Sequence, residues 1–159
     1  CLREREEFFA NQQIKMIIGK GSMEPVDASD LEQAKDNIRR DFIFTGIFEY
    51  FDASILLLSR LINWRPCTYG RLNVKLNRGK ISRQDLLTLQ RINHFECRLY
   101  EDALNDLLRA MRGAGKNFDA ALAELSKATE AAAAAGAGVA RHLPTDNSAI
   151  KSFLGFAEE

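Results

Sequence analysis

Alternating basic and amide side chains at Arg71, Asn73 and Lys75 are the strongest candidates for binding chemistry in this chain of 159 residues. In an extended segment, residues two apart lie on the same face, so these three side chains would point in one direction. Such a face suits a phosphate or sulfate group, because Arg and Lys donate charged hydrogen bonds to anionic oxygens. The other interpretation is an edge strand whose charged face is merely solvated.

Asn11, Gln13 and Lys15 alternate in the same way. Their amide and ammonium groups could hydrogen-bond sugar hydroxyls or a uronate carboxylate. A solvated polar stretch without a ligand is the alternative.

Glu49 is the candidate for proton transfer. It follows an apolar run at 42–44, which predicts a buried parallel strand whose C-terminal end faces a site. There Glu49 could accept a proton or position an acceptor hydroxyl, whereas a turn or cap role for Glu49 and Asp52 is the alternative. Tyr50 and Phe51 are interpreted as core residues rather than as a platform for sugar stacking.

Histidine and cysteine usage indicates neither a hydrolytic triad nor a metal site. His94 and His142 have no nearby Cys or Ser with a third orienting group. The chain has three cysteines, Cys1, Cys67 and Cys97. An odd count without metal-binding spacing argues against both a disulfide framework and a zinc site.

Helical periodicity dominates the first part of the chain. Residues 2–18 suit a helix that the polar group at 11–13 interrupts. A capping box at 29–32 starts a second helix, which leads into the strand at Phe42. Asp52 is predicted to cap a third helix, and its apolar composition predicts burial against a sheet.

The middle of the chain reads as a loop followed by a long helix. Residues 65–81 form the loop, with a short extended piece at 71–76. Ser82 starts a helix of roughly 30 residues that stops at Gly113.

Three polar residues of this long helix, Asn93, Glu96 and Tyr100, share one face. We interpret them as a buried polar network that fixes the long helix to the sheet.

The C-terminal part is rich in alanine. Asn117 is predicted to cap a helix that runs into the alanines at 131–135, and this helix should be exposed and loosely docked because Ala offers little to bury. Two segments follow: residues 1–113 as the main domain and residues 114–159 as an Ala-rich helical extension.

Composition is that of one ordered unit, with 46% hydrophobic and 28% charged residues. The 22 basic and 22 acidic residues give a net charge of zero, so a general affinity for nucleic acid is not expected. No apolar run approaches the roughly 20 residues of a membrane span. Reduced cysteines favour the cytoplasm.

Four stretches between residues 8 and 104 each have the form of a short sequence motif. They are Asn11 to Met16 with Gly19, Ile43 to Ile55, Trp64 with Leu72 to Val74, and Asn93, Phe95, Glu96, Leu99 and Tyr100.

These stretches resemble, in the same order, the C-terminal half of carbohydrate-type sulfotransferases (sulfotransferase family 2-like), which use 3′-phosphoadenylyl sulfate (PAPS). Two residues depart from the family pattern. Asn63 stands where the family has Gly before Trp, and Glu96 stands where it has Asp.

The resemblance implies an α/β parent with a P-loop NTPase-like sulfotransferase fold, of which this chain is a mostly α-helical part with one or two strands. It implies transfer of a sulfuryl group from PAPS, as co-substrate, to a carbohydrate hydroxyl, without a metal. The set at 71–75 would then bind the cofactor and the set at 11–15 the acceptor. The string at 19–22 precedes no helix, so the loop for the 5′-phosphosulfate and the catalytic base are expected upstream of residue 1.

Two alternatives stay open. One is a non-catalytic interaction module whose helices at 82–112 and 117–135 pair with a partner, and the other is a degenerate sulfotransferase-like domain without turnover. Homo-oligomerisation is also open, as is a Golgi location if the upstream part carries a signal anchor.

Overall fold

The computed structural model describes residues 8–66, 68–69 and 81–134, and all its regular elements in these ranges are helical. The α-helices are α1 (Gln12–Ile18), α2 (Ala28–Asp41), α3 (Phe51–Leu61), α4 (Arg83–Ile92), α5 (His94–Gly113) and α6 (Asn117–Ala134), and a short 3₁₀ turn (Phe48–Tyr50) precedes α3. The predicted extended piece at 71–76 lies outside the described residues.

The first of two compact units comprises the described residues up to Thr45 and those between Lys80 and Leu104. Here α1 packs on α2, and the first half of α5 completes the core. The buried apolar residues of this core are Ile14, Leu31, Ala34 and Leu99. Lys35 of α2 is held between Glu32, at 3.0 Å, and Asp102 of α5, at 2.8 Å.

The second unit comprises the described residues between Gly46 and Gly79 and those from Asn105 onward. Its core joins α3 to α6 through Ala53, Leu56, Phe118 and Leu125. Asp52 at the start of α3 bonds Ser126 near the middle of α6, and Arg60 near the end of α3 reaches Asn117 at the start of α6, so the two helices are antiparallel. Among the described residues, α3 therefore packs on a helix rather than on the predicted sheet, and the Ala-rich helix docks through its buried Phe118 and Leu125 rather than loosely as predicted.

The strand predicted at 42–44 is also wrong. Phe42 ends α2 as its C-cap, and its N–H donates to the carbonyl of Ile38 at 3.1 Å. Phe42 and Ile43 are exposed and belong to a connection without strand pairing. An apolar run favours a strand only where a neighbouring strand accepts its hydrogen bonds, and none lies among the described residues.

Two helix starts differ from their predictions by a few residues. The capping box of α2 is formed by Asp27 and Asp30 rather than by 29–32. The carboxylate of Asp27 accepts from the N–H groups of Ser29 and Asp30 in the first turn, and the carboxylate of Asp30 accepts from the N–H of Asp27. Helix α3 begins at Phe51 with Tyr50 as N-cap, which places Asp52 inside the first turn.

The predicted long helix is two helices that meet at Asn93. Ser82 caps the first of them, as predicted, by accepting a hydrogen bond from the N–H of Asp85 at 3.1 Å. The second ends at Gly113, also as predicted. The intervening Asn93 has φ −110° and ψ 25°, outside the helical region, and contacts α1.

Candidate functional site

Asn11 is the centre of a buried hydrogen-bond network at the start of α1. Its backbone is left-handed, with φ 52°, and the residue is only 5% exposed. Its N–H donates to Oδ1 of Asn93 at 2.8 Å, its Nδ2 donates to the carbonyl of Ile92 at 3.0 Å, and its Oδ1 accepts from the N–H of Glu96 at 3.1 Å. Asn11 and Asn93 thus join α1 to the junction of α4 and α5, where the sequence predicted a contact with a sheet.

Glu96 completes this network from α5. Its carboxylate accepts hydrogen bonds from the backbone N–H groups of Gln13 and Ile14, which are among the donors that a helix leaves unpaired at its N-terminus. Burial raises the pKa of Glu96, and the two N–H donors only partly oppose that shift. Since the side chain of Asn11 does not cap α1, a glutamate from a distant helix takes that role.

Lys15 is 2% exposed and is used inside the fold. Its Nζ donates to the carbonyl of Ser22 at 2.6 Å, and its own carbonyl accepts from the N–H of Lys20 at 2.8 Å. Of the three predicted acceptor-binding residues, only Gln13 therefore has an exposed side chain. The alternation at 11–15 would align side chains on a strand, but on a helix Gln13 and Lys15 point to different sides.

The turn after α1 is fixed by charged groups rather than shaped to hold a phosphate. Gly19 is left-handed, with φ 72°, and the next helix starts only at Ala28. Lys20 binds Asp30 at 2.6 Å, which raises the pKa of Lys20. The hydroxyl of Ser29 and the helix N–H groups lower the pKa of Asp27.

Ser54 closes the segment that leads into α3. Its Oγ accepts from the N–H of Ile47 at 3.0 Å and donates to the carbonyl of the same residue at 3.2 Å. Ser54 and Ile47 are both buried. This pair satisfies both backbone groups of Ile47 without a strand.

At the other end of α3, Asn63 is left-handed, with φ 54°. The N–H of Trp64 donates to the carbonyl of Ser59 at 2.7 Å, and the N–H of Ile62 donates to Leu58 at 3.0 Å. A left-handed residue followed by this long backward bond is a Schellman ending, which Gly fills most often and Asn fills sometimes.

Glu49 lies in the 3₁₀ turn, is half-buried and is engaged by other groups. Of the aromatic residues beside it, Tyr50 packs against the second core, as predicted, whereas Phe51 is 40% exposed. The interpretation of Phe51 as a core residue is therefore wrong. Phe48 is 76% exposed.

The sequence did not predict a cluster around Asp52. Its Oδ2 accepts from the hydroxyl of Ser126 at 2.5 Å, and its Oδ1 accepts from the hydroxyl of Tyr69. The ring of Phe51 lies 4.8 Å from that of Tyr69 and 6.5 Å from that of Phe48, measured between centroids. The aromatic and acidic residues at 48–52 are visible in the sequence as a local group. Their contacts to residues 69 and 126 join distant parts of the chain and could not be predicted from that group.

The predicted cofactor-binding residues Arg71, Asn73 and Lys75 lie outside the described residues, as do His142 and Cys67. Within the described ranges, no three His, Cys, Asp or Glu side chains group as a metal site would require. None of the helices that the structure describes is long and apolar enough to cross a membrane.

Comparison with known proteins finds no family model that matches this chain, and neither a curated protein nor a solved structure that is significantly similar to it.

Proposed function

We propose that this chain is the C-terminal part of a PAPS-dependent sulfotransferase that transfers a sulfuryl group to a carbohydrate hydroxyl. The proposal rests on the resemblance of four sequence stretches to that family. The parent would have the P-loop NTPase-like α/β fold, with residues 1–113 in the catalytic domain and residues 114–159 as an extension. The loop for the 5′-phosphosulfate and the catalytic base would come from the upstream part.

The observation that best supports the proposal is the left-handed backbone at Asn63. The family has Gly at this position, and Asn is the residue that most readily replaces Gly where φ is positive. The departure from the family pattern is thus conservative in backbone terms. Gly19, where the first family-like stretch ends, is also left-handed, so two family-like positions coincide with backbone requirements.

Contacts between the family-like stretches add support. Asn11 belongs to the first stretch and Asn93 and Glu96 belong to the fourth, more than 80 residues later, yet they bond one another. Ile47 and Ser54, which both belong to the second family-like stretch, bond each other as well. A resemblance produced by composition alone would have no reason to select residues that interact.

In the proposed reaction, an acceptor hydroxyl attacks the sulfur of PAPS in line, the bond to the bridging phosphate oxygen breaks, and 3′-phosphoadenosine 5′-phosphate leaves. The protein would act by positioning the two substrates and by stabilising charge on the leaving oxygen. Within this chain, the set at 71–75 would bind the 3′-phosphate. On the acceptor side, Gln13 is the member of the predicted set with an exposed side chain, and Glu49 is the candidate that would position or deprotonate the hydroxyl.

The test is binding of 3′-phosphoadenosine 5′-phosphate, measured by calorimetry. We would compare this chain with a longer chain that includes about 120 residues encoded upstream in its reading frame, roughly the size of a parallel-sheet half-domain. The proposal predicts binding by the longer chain and loss of binding when Arg71 and Lys75 are both changed to Ala.

Adenosine 5′-monophosphate is the matched control ligand, because it lacks the 3′-phosphate. Preference for the ligand with a 3′-phosphate, followed by PAPS-dependent sulfation of a carbohydrate, supports the enzyme. Binding without sulfation of any carbohydrate indicates the degenerate domain. Absence of binding by both chains contradicts the sulfotransferase proposal.

One observation favours the alternative of a helical interaction module. Helix α4 has no buried residue, and Ile81, Leu87 and Leu89 beside or on it are exposed. A module of this kind would not bind nucleotide and would bind a partner protein through α4.

The proposed location is the cytoplasm, with the Golgi lumen as alternative.

A further inference from the structure

We propose that the aromatic residues around Asp52 form a binding site for an organic cation carrying a methylated ammonium group. The site consists of Phe48, Phe51, Tyr69 and Asp52, all within the second unit. It is independent of the sulfotransferase proposal, because it depends on these side chains alone.

The rings of Phe48 and Phe51 are exposed and inclined to each other. Phe48 is 76% exposed, so its ring gains little from burial in the core and is accessible to a ligand in solution. The planes of Phe48 and Phe51 are inclined by 61°, and those of Phe51 and Tyr69 by 72°. Both pairs are inclined, edge-type arrangements rather than stacks, so neither ring is covered face to face by the other.

The distance between the rings of Phe48 and Phe51 suits a single cation. Cations are attracted to the face of an aromatic ring when they lie within about 6 Å of its centroid. The centroids of Phe48 and Phe51 are 6.5 Å apart, so one ammonium group can satisfy that condition for both rings at once. Methylated ammonium groups suit such a site, because they carry positive charge but are weakly hydrated.

Asp52 adds a carboxylate beside the rings. The carboxylate of Asp52 accepts from two neutral hydroxyls, those of Ser126 and Tyr69, which hold it in place but leave its charge. No Lys, Arg or His among the described residues pairs with it. A carboxylate has about four acceptor positions, so two remain for a ligand. A fixed negative charge beside electron-rich ring faces favours a cation over a neutral or anionic ligand.

The experiment titrates the full chain, labelled with ¹⁵N, with choline and with 3,3-dimethylbutan-1-ol, which has the same shape without charge. Amide chemical shifts report the site. We expect choline to shift residues 48–52 and to bind about two- to fivefold more tightly than the neutral alcohol, the range expected for an exposed cation–aromatic contact. Sodium chloride at equal ionic strength provides the baseline.

Variants locate the effect. F48L removes one ring from an exposed position, and D52N removes the charge while keeping an oxygen that accepts hydrogen bonds; each should weaken choline binding by about two- to fivefold. F42L is the matched control, because Phe42 is an exposed phenylalanine of the first unit, and it should leave choline binding unchanged.

Three results would overturn the proposal. Equal binding of choline and the neutral alcohol would indicate a plain apolar surface. Unchanged choline binding by F48L and D52N, or shifts confined to other residues, would remove the site. Tighter binding of methyl β-glucoside than of choline at residues 48–52 would assign the cluster to a saccharide instead.

Discussion

Replacing Asn11 provides the sharpest test of how the first unit is assembled. Two roles are combined in this residue: its side chain bonds Ile92 and Glu96, and its backbone is left-handed. N11G keeps the backbone conformation accessible but removes both side-chain bonds. N11A removes the bonds and also places a side chain with Cβ in a conformation that it disfavours.

The expected magnitudes follow from these contacts. Each hydrogen bond contributes about 0.5–1.5 kcal/mol, so N11G should lower the free energy of unfolding by about 1–3 kcal/mol. The left-handed conformation costs an alanine about 1–2 kcal/mol more, so N11A should lower it by about 2–5 kcal/mol. The hydrogen bond from the N–H of residue 11 to Asn93 is retained in both variants.

Asn63 is a matched control within the same chain. It is also left-handed, with φ 54°, but its side chain is exposed and makes no hydrogen bond to any residue that the structure describes. N63A should therefore show only the backbone cost of about 1–2 kcal/mol, and N63G should lie within about 0.5 kcal/mol of the parent chain.

Urea unfolding followed by far-UV circular dichroism measures all five chains under one condition. If N11G unfolds with the same free energy as the parent, the network around Asn11 contributes nothing and our reasoning is refuted. If N63A is as destabilised as N11A, the whole effect belongs to backbone handedness and none to the buried bonds.

Three further changes test other contacts. E96Q keeps an oxygen for the N–H groups of Gln13 and Ile14. Because burial raises the pKa of Glu96, the stability that its protonated form contributes is fully present below the pKa in the unfolded chain and is lost as pH rises through the folded pKa. E96Q should therefore be at least as stable as the parent at pH 7, and urea titrations should show a flatter fall in its stability with rising pH. D27A removes the N-cap of α2 and should lower the free energy of unfolding at pH 7. Because the pKa of Asp27 is lowered, that stability is present above its unfolded pKa and is lost as pH falls through its folded pKa. A cost that persists unchanged in acid would contradict the assignment. S54A leaves the buried N–H of Ile47 unpaired, whereas the carbonyl of Ile47 keeps its hydrogen bond from the N–H of Tyr50 at 3.0 Å. The variant should cost about 1–3 kcal/mol in thermal or urea unfolding, and a change below about 0.5 kcal/mol would mean that other groups replace the hydroxyl.

Local signals predicted the helix ends that depend on neighbouring residues. Ser82 caps a helix because its side chain reaches an N–H three residues later. Gly113 is the last residue of another helix, after which the N–H of Ala114 bonds the carbonyl of Met111 three residues back and Gly115 is left-handed. The interruption at Asn11 was visible as a polar group within an apolar period. The position of the capping box of α2 was missed because aspartate and serine compete for the same role, and both patterns occur between residues 27 and 32.

Contacts between distant residues could not be predicted in this way. The apolar run at 42–44 has the composition of a buried strand, but composition does not tell whether a neighbouring strand is present. The alternation at 11–15 was interpreted with the two-residue period of a strand, whereas these residues follow a helical period and Lys15 is buried. The cluster at Asp52 required Tyr69 and Ser126 to approach from 17 and 74 residues away.

The burial of Lys15 gives the first unit a chemical label of its native state. An amine that is 2% exposed and bonded to the carbonyl of Ser22 cannot reach an acylating reagent in solution, whereas the ammonium of Lys116 is exposed. Acylation of Lys15 thus requires the turn at 19–22 to open, and its rate relative to Lys116 measures how often that happens. Lys15, predicted from the sequence to bind a ligand, therefore reports the rate of local unfolding instead.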